Sequence, residues 1–260
     1  GDPDAAVYVR RLMGDTYIAD GSYSQALSSW RSAAELAARL DRQDLQIPAL
    51  LEAGQLATFM GDYEIAQASL HEADAIDPML GGVMFGLLVN SGEQGRIDEM
   101  LEVRDTVVAR FTNAPPIMQG QVALITLLVD AIVAWYQGDS QAAVQLYDEA
   151  RELVGVSRPA LVGPSMQESL ALIDVGRAAE AIGIAENMEH ISQAGNRLNP
   201  GQLQGSLYLL GRAHEALGEA AEAAVSYEKL LDMAGEGLGE IVNMRDVPER
   251  LAAARAAAGL

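Results

Sequence analysis

Cysteine is absent from the chain. That removes disulfide scaffolds, thiolate metal sites and thiol catalysis together. Lysine is nearly absent as well, since Lys229 is the single lysine among 17 basic residues. Acidic residues number 37, and the formal net charge is −20. A surface of that sign suits neither a phosphate backbone nor an anionic membrane, so direct nucleic-acid and membrane binding are not expected. Aromatics make up 5% of the residues, with Phe at 3 and Trp at 2. The β-branched and aromatic clusters that strands favour are sparse, whereas Ala and Leu are plentiful, as closely packed helices require. Long uninterrupted apolar runs are lacking too. The longest, residues 117–136, is broken by Gln119, Gln121 and Asp130. Its length would permit a membrane span, but its place in the pattern below reads as a buried helix.

Catalytic signatures are also missing. The sequence holds no phosphate loop ending in Lys, no dinucleotide fingerprint, no Gly-x-Ser-x-Gly elbow and no His-Glu-x-x-His. The three histidines, His71, His190 and His214, have no ligand spacing on one helix. Carboxylate pairs such as Glu149 and Glu152, Asp98 and Glu99, or Glu219 and Glu222 fall on polar helix faces, several in first turns where the helix dipole favours them. No enzyme, metal or cofactor is expected.

What the chain does have is half its residues apolar and a repeat along its whole length. Six turns recur: Gly21-Ser22-Tyr23, Gly61-Asp62-Tyr63, Gly95-Arg96-Ile97, Gly138-Asp139-Ser140, Gly176-Arg177-Ala178 and Gly218-Glu219-Ala220. Their spacings are 40, 34, 43, 38 and 42 residues. Five residues after each Gly stand Ala26, Ala66, Met100, Ala143, Ala181 and Ala223. Four further come Trp30, Leu70, Arg104, Tyr147, Ala185 and Tyr227. Glycine at the turn takes the left-handed conformation that ends a helix. A small residue lets two helix axes approach, and a large one a turn later fills the groove. One hairpin cannot bury its apolar face alone, so hairpins stack.

These residues resemble the tetratricopeptide repeat. Gly14, Tyr17, Ala26, Trp30 and Ala33 fall at that family's spacing in the first unit, as do Gly54, Gly61, Ala66, Ala73 and Pro78 in the second. Leu210, Gly211, Gly218, Ala223 and Tyr227 do so in the last, and the fourth keeps Ala143, Tyr147 and Ala150. The third and fifth units are degenerate: the third has Met100 and Arg104 where Ala and an aromatic are usual, and the fifth keeps little beyond Gly176 and Ala181. The resemblance implies an all-α fold: a right-handed superhelical solenoid of about six hairpins plus a C-terminal capping helix, one domain over residues 1–260 with a joint near 155–164. Expected helices are 5–20 and 22–40, 46–60 and 62–76, 79–92 and 95–112, 116–137 and 139–154, 160–175 and 177–193, 200–217 and 219–234, then 246–258.

The resemblance also implies that the first helix of each hairpin lines a concave groove. Carried onto this chain, the groove residues are Arg11, Asp15, Gln55, Thr58, Phe85, Trp135, Tyr208, Arg212 and Glu215, with Ile18, Leu51 and Leu128 beside them. Arg and large aromatics are enriched in binding hot spots. The Lys and Asn that clamp a terminal carboxylate in some family members are missing, so the expected partner is a protein or peptide presenting an internal segment or a helix. The expected role is a cytoplasmic scaffold or adaptor, with self-association allowed. The alternative is a sensor or regulatory region of a larger bacterial regulator or signalling kinase, which the absence of an initiator Met at Gly1 would fit.

Overall fold

A computed structural model describes residues 3–112, 121–155, 165–194 and 200–260. Thirteen α-helices and no strand occur among them. In chain order they are α1 (Pro3–Ala19), α2 (Tyr23–Arg39), α3 (Gln43–Met60), α4 (Tyr63–Ile76), α5 (Gly81–Glu93), α6 (Ile97–Thr112), α7 (Val122–Tyr136), α8 (Ser140–Val154), α9 (Ser165–Asp174), α10 (Ala178–Ala194), α11 (Pro200–Leu217), α12 (Ala220–Ala234) and α13 (Val247–Ala258). Two 3-10 turns, Gly235–Glu240 and Val242–Met244, lie between α12 and α13. The all-α expectation holds. At α3 the helix begins at Gln43, three residues before expected, and carries Pro48 inside the helix rather than in its first turn; α7 begins only at Val122, after a turn residue at Gln121, and the expected helical residues 116–120 and 160–164 lie outside the described residues. Most of the expected joint near 155–164 lies outside the described residues, and its first residue, Gly155, ends α8 at a φ of 64°.

Two compact units are present. One comprises residues 1–94 and 233–245, and the other comprises residues 95–232 and 246–260. In the first, α1 pairs with α2, α3 with α4, and α5 packs on both α3 and α4. In the second, α7 pairs with α8, α9 with α10, and α11 packs on α10, while α6 packs on α7. Within each unit the odd-numbered helices from successive hairpins also touch, α1 with α3 and α3 with α5 in one, α7 with α9 and α9 with α11 in the other. This side-by-side order is that of a helical repeat.

The turns form for the reason the sequence suggested. All six turn glycines have positive φ, between 66° at Gly95 and 84° at Gly138. At Gly61 the amide of Asp62 bonds back to the Ala57 carbonyl at 2.8 Å and that of Gly61 to Thr58 at 3.1 Å, closing the end of α3. The second helices then present a stripe at helical spacing. On α2 it comprises Tyr23, Ala26, Leu27, Trp30, Ala33, Ala34 and Ala37, all buried.

The small-to-large logic is literal. Gly14 of α1 faces the Trp30 indole, Gly54 of α3 faces Leu70, and Gly211 of α11 faces the Tyr227 ring. In these three hairpins the first helix supplies a bare backbone on which the second rests a large buried side chain. Burying such a side chain stabilises by about 1.5–3 kcal/mol. The degenerate units keep the phase. Met100 and Ala181 are fully buried, whereas Arg104, standing where an aromatic is usual, ties α6 to Asp130 of α7 at 2.7 Å.

Candidate functional site

The nine residues expected to line a groove divide between the two units. In the first, Arg11 and Asp15 sit one turn apart on α1, Gln55 and Thr58 on α3, and Phe85 on α5. Gln55 is exposed, Asp15 and Phe85 are half-buried, and Thr58 is buried. The Thr58 hydroxyl donates to the Gly54 carbonyl at 3.0 Å, inside its own helix, with the Asn90 side chain 3.3 Å away.

Arg11 is engaged within the fold. Its guanidinium donates two hydrogen bonds to Glu52, Nε to Oε2 at 3.0 Å and Nη2 to Oε1 at 2.5 Å. This fork ties α1 to α3. The Arg11 carbonyl accepts a bond from the Trp30 indole at 3.2 Å. The hydrogen bond to Glu52, then its charge, raises the Arg11 pKa against the opposing effect of burial. This residue fixes helix spacing.

In the second unit, Tyr208, Arg212 and Glu215 lie on one face of α11 at i, i+4 and i+7. Tyr208 is buried, and its hydroxyl accepts a bond from Arg212 Nη1 at 2.9 Å. The same guanidinium lies 5.7 Å from the Tyr208 ring centroid. Ring and hydroxyl together hold Arg212 in place. Arg212 is half-buried and pairs with no carboxylate among the described residues. Glu215 instead accepts from Arg250 of α13 at 2.7 Å, and Arg250 also donates to Asp246 at 2.6 Å. The Tyr227 phenol is buried beside this network; burial foremost, with the Glu215 charge, pushes its pKa up strongly. Trp135 of α7 is half-buried and stands edge-on to Tyr136, with ring centroids 4.7 Å apart.

A second polar cluster went unnoticed in the sequence. Arg151 of α8 and Glu168 of α9 form an ion pair whose side chains are 7% and 5% exposed. Nε and Nη1 of Arg151 and the Tyr147 hydroxyl are buried without hydrogen-bond partners. Burial raises the Tyr147 pKa well above its ordinary value, with the Glu168 charge adding to it. The signal was present, because Arg151 falls in register with Ala143, Val144, Tyr147 and Ala150 on the buried stripe of α8. Another strip also passed unnoticed. Tyr8, Val9, Leu12 and Met13 form an uncharged face of α1 that is 43–55% exposed.

His214 pairs with Glu219 at 2.7 Å at the end of α11. Among the described residues no group of three or more His, Asp or Glu side chains could hold a metal ion, and no helix is long and apolar enough to cross a membrane.

The family model of the tetratricopeptide repeat matches residues 205–236, the α11–α12 hairpin in which Gly211 meets Tyr227. No curated protein matches the chain. Among solved structures the chain is similar to a tetratricopeptide repeat protein from Parabacteroides merdae ATCC 43184, at 13% identity and a TM-score of 0.36, covering 96% of this chain and 99% of that one. A likeness at that level carries no weight; the sequence match and the hairpin geometry do. The α11–α12 hairpin therefore matches a tetratricopeptide repeat in sequence, and the same glycine turns and small-to-large contacts recur in hairpins before it.

Proposed function

We propose that the chain is a protein–protein interaction module that binds a peptide segment or helix across the first helices of its hairpins, with Arg212 as the principal anchor. Tetratricopeptide repeats generally mediate contacts between proteins. The observation that carries the finer reading is the state of Arg212. Its guanidinium is held by the Tyr208 ring and hydroxyl, yet no carboxylate of the described residues neutralises it. A positioned, half-buried guanidinium loses little side-chain entropy on binding and offers a fork to a partner's carboxylate. Trp135, half-buried on α7 of the same unit, supplies an aromatic of the type that dominates binding energy. On a chain of net charge −20, an arginine held against Tyr208 and not paired with a carboxylate among the described residues would select an acidic residue set in an otherwise neutral or basic segment.

The test is a selection of linear peptides on the immobilised chain, followed by affinity measurement against the intact chain, Arg212→Ala and Trp135→Ala. The reading expects enriched peptides to share an acidic residue and to lose at least about tenfold, near 1.4 kcal/mol, with Arg212→Ala. Peptides that bind all three chains alike would remove the anchor. Failure to enrich any peptide, with a small molecule co-purifying instead, would favour the sensor alternative.

A further inference from the structure

In the first unit, a segment from the far end of the chain is laid across the α1–α2 turn, the α3–α4 turn and the end of α5. It is Gly235–Met244, wound into two 3-10 turns. Leu238 of the first turn, Met244 of the second and Ile241, in extended backbone between them, are all buried, at 2%, 7% and 5% exposure.

Its polar and backbone contacts fall on the two turns and the end of α5 in succession. At the α1–α2 turn the two backbones meet directly. A Cβ on Gly237 would overlap the Gly21 carbonyl, and a Cβ on Gly21 would overlap the Ala234 carbonyl. Glycine is required on both sides of that approach. Beside it, Glu240 Oε2 accepts from the Ser24 amide at 3.1 Å and from the Ser24 hydroxyl at 2.7 Å. Ser22, the residue in the capping position of α2, makes no side-chain cap. Glu240 thus supplies the missing acceptor at the positive end of that helix, from 216 residues away. At the α3–α4 turn, a Cβ on Gly61 would lie 3.0 Å from Val242 Cγ2. At the end of α5, Asn243 donates to Glu93 Oε2 at 3.1 Å. The Arg245 guanidinium folds back on the Gly239 carbonyl at 2.9 Å, holding the segment's own curve.

We propose that these two turns and the end of α5 form an acceptor surface for a short acidic 3-10 segment of pattern Gly-x-x-Glu-x-Val, and that the chain fills it in cis with its own Gly237, Glu240 and Val242. The proposal does not depend on the reading above. Its chemistry is specific: glycine for backbone contact at Gly21, a carboxylate for the bare start of α2, and a β-branched side chain over Gly61. A tethered segment acts at an effective concentration of about millimolar, so modest intrinsic affinity keeps the surface occupied. A partner carrying the same pattern would have to displace it.

The experiment uses the full chain in two forms, intact and with Glu240→Ala plus Val242→Ala, and a fluorescent peptide of residues 235–245. Binding is read by anisotropy and folding by circular dichroism. The proposal expects saturable binding by the doubly substituted chain and at least about tenfold weaker binding by the intact chain. A peptide carrying Glu240→Gln should bind the substituted chain several-fold more weakly. No saturable binding by a folded substituted chain overturns the proposal, as does equal binding by both chains, or indifference to Glu240→Gln in the peptide. Should the double substitution unfold the protein, the single Glu240→Gln chain gives the same reading, with the exchange rate of the Ser24 amide reporting whether the segment has been loosened.

Discussion

Gly211 of α11 lies so close to the Tyr227 ring of α12 that a Cβ at 211 would fall within the ring's van der Waals envelope. Tyr227 is fully buried, so the ring has nowhere to retreat. Gly211→Ala is therefore expected to destabilise by about 1–3 kcal/mol, the ordinary range for overpacking. Urea denaturation measures it. Combined with Tyr227→Ala, the penalty of Gly211→Ala should largely disappear, because the ring that it strikes is gone.

The Arg151–Glu168 pair is buried on both sides. Removing Glu168 strands the Arg151 charge in the core. Glu168→Leu alone is expected to cost about 3–5 kcal/mol, while Arg151→Met with Glu168→Leu together should come near the intact stability. Equal losses in the single and double variants would show that the pair is not isolated from water.

Tyr147 and Tyr227 give the protein an alkaline limit. Both phenols are raised by burial. A raised phenol means that the folded chain keeps a proton which the unfolded chain releases above about pH 10. The stabilising contribution is therefore fully present below about pH 10 and falls as pH rises beyond it. Absorbance at 295 nm should show these two phenols ionising only together with unfolding. Tyr147→Phe removes a buried hydroxyl that has no partner, so neutral stability to a gain of about 1 kcal/mol is expected.

Two arginines that sequence placed side by side as anchors should separate cleanly. Arg11 makes a two-point bond to Glu52 across α1 and α3. Arg11→Ala should lower stability by about 1.5–3 kcal/mol and leave peptide affinity unchanged. Arg212 bonds only to Tyr208 among the described residues. Arg212→Ala should change stability by less than about 1 kcal/mol and weaken peptide binding. Thermal denaturation and anisotropy on both variants check the contrast.

The fold was legible because its rules are local. A glycine such as Gly138 needs a left-handed φ wherever the helix ends, and Ala143 five residues on must be small whatever surrounds it. Even at degenerate positions the phase predicted burial, as Met100 shows. The roles of polar residues were not legible, because they depend on what arrives from elsewhere in the chain. Arg11 and Arg212 occupy similar helix positions. Glu52, 41 residues away, claims one, and no carboxylate of the described residues claims the other. The 3-10 turns after α12 read only as a glycine-rich breaker, since the contact that gives Glu240 its role lies 216 residues off. The start of α3 fell three residues before the expected 46, where Arg42 bonds Asp44 in the first turn.

The most direct measurement of the central claim is photo-crosslinking of a selected peptide to the intact chain, with the modified residues read by mass spectrometry. If the first helices bind the partner, adducts fall on α7 and α11, near Trp135 and Arg212, and disappear with Arg212→Ala. Adducts confined to the second helices, α8 and α12, and insensitive to Arg212→Ala would contradict the account.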